Sequence, residues 1–184
     1  MAIAAVVILG ALFAWSTLAG DDGDDEDAAS AEAQRFECDE PTGGAAPASD
    51  GPVADRDAPD PEPPPDDTPA DAIECTTLIA GDGDRVAEGD TITVNYIGKT
   101  PDGEVFDSSF ERGEPAEFAI GVGTVIDGWD EGLIGARVGE RRRLVIGSEN
   151  AYGAEGRPDG GIPPDSPLAF EIDIIDITEG GSAE

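Results

Sequence analysis

Seven of the ten aromatic side chains in this sequence, and most of its Ile and Val, fall in residues 72–184. Only there can a hydrophobic core form, and the 113 residues of that stretch suffice for one. Residues 21–71 are dominated by Asp, Glu, Ala, Gly and Pro, with nine prolines and Phe36 as the single aromatic. Such a segment cannot bury enough apolar surface to offset its ordering entropy, so it is predicted to be a disordered acidic linker. Within it residues 58–69 (APDPEPPPDDTP) are expected to be extended and polyproline-like, a spacer stiffened by like charges. Residues 2–20 carry no charge over nineteen positions, close to the roughly 20 that cross a bilayer as a helix. The acids Asp21, Asp22, Asp24, Asp25, Glu26 and Asp27 follow at once, which no core would accept. Residues 1–20 are therefore read as a signal peptide or membrane anchor, with Thr17 and Ala19 at a plausible cleavage spacing but no basic flank. Three segments result: 1–20, 21–71 and a folded domain over 72–184.

Charge and composition then remove whole classes of function. Forty-two acidic side chains stand against 10 basic ones, a net charge of −32. A surface this acidic repels phosphate backbones and anionic headgroups, so no nucleic-acid partner is expected, and membrane contact only through the N-terminal segment. The folded part alone carries 24 acids and 8 bases, a net −16. Such an excess reads as salt adaptation, since ions screen the self-repulsion. Histidine is absent. That excludes Ser-His-Asp and Cys-His nucleophile systems, His-ligated metals and imidazole acid–base chemistry. Cys38 and Cys75, two thiols in a chain read as exported, suggest one disulfide. Closing that loop is worth about 4 kcal/mol on the loop-entropy model, less if the loop is already stiff.

Hydrophobic periodicity supplies the elements. Residues 91–97 (TITVNYI) alternate, placing Ile92, Val94 and Tyr96 on one face of a half-buried strand. Pro101, Asp102 and Gly103 provide turn chemistry and the apolar pattern resumes at 104–106, predicting a hairpin. Residues 141–146 (RRRLVI) begin charged and end apolar, and a strand with a solvated basic end is expected rather than an anion site. Leu168, Phe170, Ile172 and Ile174 share one parity, then Ile175 and Ile177 take the other, which a β-bulge would produce. One short helix is visible, where Ile126, Trp129 and Leu133 have spacings of 3 and 4, Asp127 can cap the start and Gly135 can end it. The class is α+β: a mostly antiparallel sheet of five or six strands with one short helix packed on it.

Charged motifs are weak. Gly121-Val122-Gly123 lacks the third glycine and the lysine of a phosphate loop. Asp82, Asp84 and Asp90 do not have calcium-loop spacing and read as a solvated turn. Paired carboxylates are too abundant to be informative. What remains is the aromatic set Tyr96, Phe106, Phe118, Trp129, Tyr152 and Phe170, with Val125, Ile126 and Ile162, which periodicity alone cannot distinguish from ordinary core.

The order of these motifs closely resembles the FKBP-type peptidyl-prolyl isomerases. The stretches VNYIGKTPDGEVFDSS, FAIGVGTVIDGWDEGLIGARVGERRRLVI, NAYG and GIPPDSPLAFEIDIIDI follow in order, and the resemblance covers about residues 72–178. The resemblance implies a bent antiparallel sheet wrapped around one short helix, and a pocket lined by Tyr96, Phe106, Asp107, Phe118, Val125, Ile126, Trp129, Tyr152, Ile162 and Phe170. It implies catalytic roles for Tyr96, Asp107, Trp129 and Tyr152, with Trp129 as the floor under the proline ring. The Ile126 amide and Tyr152 hydroxyl would bond carbonyls of the bound chain, and the other lining residues would contact substrate. It also implies proline-containing polypeptides as substrates, macrolides as inhibitors, a monomer, and neither cofactor nor metal. Ala116 stands where the family often has an aromatic, Arg157 occupies a variable loop position, and no long insertion separates Tyr152 from Pro163. The expected function is acceleration of X-Pro isomerisation in extracytoplasmic folding. The alternatives are a non-catalytic proline-peptide binding module, which Ala116 keeps open, and an acidic secretory domain without a ligand.

Overall fold

In the computed structural model, which describes Cys38 and residues 53–180, alternation becomes a six-stranded antiparallel sheet. The strands are β1 (Ile73–Ile79), β2 (Thr91–Lys99), β3 (Val105–Ser108), β4 (Ala116–Ala119), β5 (Arg141–Ile146) and β6 (Leu168–Thr178). Their spatial order is β1-β5-β6-β2-β3, with β4 also paired to β2. The reading of residues 1–20 lies outside the described residues.

β3 and β4 occupy one edge in succession: β3 pairs with the end of β2 (Ile97↔Ser108) and β4 with its beginning (Thr91↔Ala119). Between them the chain leaves the sheet through α1 (Ser109–Arg112), a helical turn that the sequence reading did not contain. Ser108 caps this turn by accepting from the Glu111 amide, and Gly113 closes it. Ser109, fully buried, fills the gap in the ladder: its hydroxyl accepts from the Tyr96 amide at 2.8 Å and donates to Asn95 Oδ1 at 3.1 Å. Two adjacent serines thus do separate work, which no periodicity could separate. The expected bulge is present, since Thr93 pairs with Asp176 and Val94 with Ile174, leaving Ile175 unopposed. The hairpin turn after β2 is closed by the Gly103 amide on the Thr100 carbonyl at 2.9 Å.

The main helix, α2 (Asp127–Gly132), is shorter than expected and differs at both ends. Ile126, not Asp127, is its N-cap and makes no side-chain cap bond; Asp127 is a first-turn acid favoured by the helix dipole. The helix lies very close to the sheet because its inner face is Gly128, Trp129 and Gly132: a Cβ on Gly128 would stand 2.5 Å from Ile146. Beneath it the core runs through Ile92, Val94, Leu133, Leu144, Ile146, Ile172 and Ile174, all fully buried.

Charged residues read as solvated are not. Arg142 is 5% exposed, donating to buried Glu140 at 2.7 Å and to the Gly132 carbonyl at 2.8 Å, so it ties the end of α2 to β5. Arg141 pairs with Asp173 at 2.6 Å. Asp90 is buried as well, accepting from the Ala87 amide at 2.8 Å and the Gly180 amide at 3.0 Å. In each case a local partner replaces water, which composition does not reveal.

The described part of the expected spacer, residues 53–71, also differs from a free linker: it lies on the domain. Arg56 donates to Asp173 at 2.9 Å and to the Gly139 carbonyl at 2.8 Å, Asp60 pairs with Lys99 at 2.5 Å, and Pro61 and Pro64 are buried. A proline-rich strand has little backbone freedom left to lose, so a few contacts hold it. Cys75, buried on β1, is disulfide-bonded to Cys38, 37 positions away in sequence, with Cα atoms 4.7 Å apart.

Candidate active site

One face of the sheet and the buried side of α2 bring the predicted rings together. Trp129 sits in the middle, its ring centroid 5.2 Å from Tyr96, 5.1 Å from Phe118 and 5.4 Å from Phe170. All three contacts are edge-on, at 88°, 79° and 80°, the arrangement that places positive ring edges against negative faces. Phe106 extends the set through Phe170 at 5.5 Å, and Tyr96 meets Phe118 at 5.8 Å. Each ring has its own support: Tyr96 on β2, Phe106 on β3, Phe118 on β4, Trp129 on α2 and Phe170 on β6. Gly98 leaves them room, since a Cβ there would stand 2.6 Å from Phe106 and 2.8 Å from Phe170.

Ile162 is buried in the same cluster, and Val125, Ile126 and Tyr152 pack against it half-buried, as do Phe106 and Phe118. The apolar residues of the predicted set therefore converge on one cradle. Val125 and Ile126 belong to the loop leading into α2, which is pinned from the helix itself: Asp130 accepts the Gly121 amide at 2.8 Å and the Gly123 amide at 2.7 Å. The two glycine amides that resembled a phosphate loop are thus already occupied by a carboxylate. Ile126 precedes the first turn of α2, where backbone N–H groups have no intrahelical acceptor. At the floor, the Trp129 Nε1 is buried and no protein group accepts from it. A buried donor left open in this way is uncommon and marks a place where another acceptor can come.

Asp107 is not inside the cradle but at its rim, where it forms a three-way network. The Tyr96 hydroxyl donates to Asp107 Oδ2 at 2.7 Å, and Arg112 donates to the Tyr96 oxygen at 2.9 Å and to Asp107 Oδ1. The Arg112 guanidinium also lies 5.3 Å from the Tyr96 ring centroid. Burial, reinforced by the bond to Asp107, pushes the Tyr96 phenol up to about 12, so it stays a neutral donor at any physiological pH. Arg112 is the residue that sequence reading missed. Its one signal was isolation: it is the sole cation between Lys99 and Arg137 in an acidic stretch, where a cation is scarce enough to need a reason.

Tyr152 and Ile162 come from the long connection between β5 and β6. That loop is closed on itself by the Arg157 amide to the Ile162 carbonyl at 2.8 Å and the Ile162 amide to the Arg157 carbonyl at 3.1 Å. The ring of Tyr152 has the Arg157 guanidinium 5.8 Å from its centroid. A separate cleft of about 830 Å³ lies near Cys38, lined among others by Thr77, Arg85, Arg137, Glu140 and Arg142, and contains none of the cradle residues. Among the described residues no group of three His, Cys, Asp or Glu side chains is placed to hold a metal. The cradle therefore presents apolar faces, a neutral phenol, a paired carboxylate and backbone N–H groups, chemistry suited to holding and desolvating an amide.

Comparison with known proteins gives the family of this domain. Residues 83–175 match the family model described as FKBP-type peptidyl-prolyl cis-trans isomerase. The chain is 47% identical over 100 residues to FK506-binding protein 2 of Yarrowia lipolytica, covering 54% of this chain and 69% of that one. It is 53% identical over 92 residues to peptidyl-prolyl cis-trans isomerase FKBP15-2 of Arabidopsis thaliana, covering 50% of this chain and 56% of that one. Among solved structures, AtFKBP13 superposes with a TM-score of 0.53 at 39% identity, covering 58% of this chain and 93% of that one. With the family model spanning half of its length, the chain belongs to the FKBP-type peptidyl-prolyl cis-trans isomerases.

Proposed function

We propose that this isomerase accelerates cis–trans rotation of X-Pro bonds in polypeptides folding outside the cytoplasm. The observation that carries the reading is the cradle itself: three rings standing edge-on around Trp129, with the open indole N–H at the floor. Rotation about an X-Pro bond must break amide resonance, against a barrier of about 18–20 kcal/mol. The twisted amide is less charge-separated than the planar one, so a water-poor apolar pocket favours it over the ground state without moving a proton. In this reading Trp129 carries the proline ring, flanked by Phe106, Phe118, Val125, Ile162 and Phe170. The Ile126 amide and the Tyr152 hydroxyl take substrate carbonyls, and the Tyr96–Asp107–Arg112 network holds the rim in place. The absent histidine is no obstacle, because the step needs neither nucleophile nor base.

The compartment is inferred from the uncharged run at residues 2–20 and from the disulfide, a bond that persists in oxidising surroundings. The same cradle is of a kind to accept a macrolide ring. The test is refolding of a proline-limited protein. The slow phase is expected to quicken with the wild-type chain, and to quicken at least tenfold less with Tyr152→Phe or Trp129→Leu at unchanged circular dichroism. No acceleration by the wild-type protein ends the catalytic reading. It would leave the second one, a proline-peptide binding module, for which the small Ala116 on β4, half-buried against the core cluster, widens one wall.

A further inference from the structure

We infer that Arg157 makes this site favour an acidic over a basic residue beside the proline, a reading of substrate class that rests on the proposed activity. The chain has few cations and spends nearly all of them internally. Arg56, Lys99, Arg112, Arg141, Arg142 and Arg143 each face a carboxylate, while Arg85 and Arg137 donate to the Gly135 and Gly83 carbonyls. Among the described residues only Arg157 has neither an ion-pair partner nor a hydrogen-bond acceptor on its guanidinium. Its contact is instead the Tyr152 ring, 5.8 Å from the guanidinium carbon to the centroid. The side chain is exposed, and its backbone is held against that of Ile162, the buried wall of the cradle, by the reciprocal bonds at 2.8 and 3.1 Å.

An unpaired charge over the ring whose hydroxyl is proposed to hold the substrate is placed to act on a residue next to the proline. Glu155 and Asp159, on the same loop, are exposed and form no ion pair with it, so the guanidinium retains its charge for an incoming group. Arg112 at the Tyr96 rim does not do the same, because Asp107 already pairs with it. The remote surface charge of the chain opposes acidic substrates, yet beyond a Debye length of about 8 Å it is screened while a contact at the rim is not.

The experiment compares short peptides containing Glu-Pro or Lys-Pro, with kcat/KM measured by a protease-free isomerisation assay and Kd by calorimetry, near 0.15 M and in molar KCl. Near 0.15 M KCl, where the remote charge is screened, the wild-type protein is expected to prefer Glu-Pro over Lys-Pro about threefold, the size that an exposed ion pair supports. Arg157→Gln should bring that ratio close to one, Arg157→Glu should invert it, and molar salt should compress all three. An equal Glu-to-Lys ratio in wild type and Arg157→Gln, by rate or by affinity, overturns the proposal. Should no peptide be turned over, the isomerase reading fails on its own, and the calorimetric ratio still decides the role of Arg157.

Discussion

One strand builds both faces of the sheet, and the faces could hardly differ more. Along β6, Phe170, Ile172 and Ile174 enter the core under α2, while Glu171 and Asp173 between them meet the arginines of β5 and Asp173 also meets Arg56. The inner face buries rings, which need only shape and area. The outer face buries charge, which needs a partner for every group: Asp173, 1% exposed, takes Arg56 and Arg141 together. The difference teaches where a catalyst of this kind can reside. An amide rotates most easily where no charge holds its planar form, and the proposed site lies among the rings of the inner face, where the buried pair Arg142–Glu140 is confined to the end of α2 and the Asp107–Arg112 pair to the rim. The other face uses its ions to hold the proline-rich strand of residues 56–64.

Removing the centre of the inner face tests this division with the largest effect. Trp129→Ala deletes the partner of three rings and leaves a void beneath α2, and urea denaturation should show a loss of about 3–5 kcal/mol. A loss below about 1 kcal/mol would mean that the rings do not act as one packed unit. Next in size is the alkaline limit of the rim. The Tyr96 phenol is raised to about 12 in the folded protein against 10.0 unfolded, by burial first and by its bond to Asp107 second. Between those values the unfolded chain has lost the proton that the folded chain keeps, so stability is intact below pH 10 and falls as pH rises toward 12. Solvent reaches the network, since the Asp107 and Arg112 side chains are 40% and 42% exposed, so the loss should be on the order of 1–2 kcal/mol. Tyr96→Phe should flatten the slope, and denaturation curves across that range with both proteins check it. A slope equal in both would assign it to other groups.

The two faces were also unequally legible from sequence. Alternation along β2 and β6, the parity switch at Ile175 and the 3-and-4 spacing around Trp129 located the inner face, because burying apolar surface leaves a periodic trace. The ring set was visible as well, though only the order of motifs distinguished it from ordinary core. Charge pairs leave no such trace on either face. Nothing local tells that Arg142 goes inward to Glu140, that Asp173 is shared by two arginines, or that Arg56 reaches it from 117 positions away. Charge pairs are specified by three-dimensional neighbours, and the same residues in sequence read as solvated. α1 was missed for a related reason: four residues are too short for periodicity, and its support is the side-chain chemistry of Ser108 and Ser109.

The smallest expected effect examines whether the proline-rich strand is held by charge or by packing. Lys99 is nearly buried, its side chain 12% exposed, but its partner Asp60 is 93% exposed, so water screens the pair and it should contribute only about 0.2–1 kcal/mol. Asp60→Asn keeps the shape of the residue and removes the charge. In low salt it should cost no more than that amount, and in molar KCl the difference from wild type should vanish, because the exposed end of the pair is screened at a few ångströms. The buried Pro61 and Pro64 are untouched by the substitution, so limited proteolysis within residues 56–64 should be little changed. A loss above about 2 kcal/mol, or one that survives molar salt, would show that this strand is fastened by a desolvated pair, and the outer face would then resemble the buried Arg142–Glu140 contact more than a screened surface.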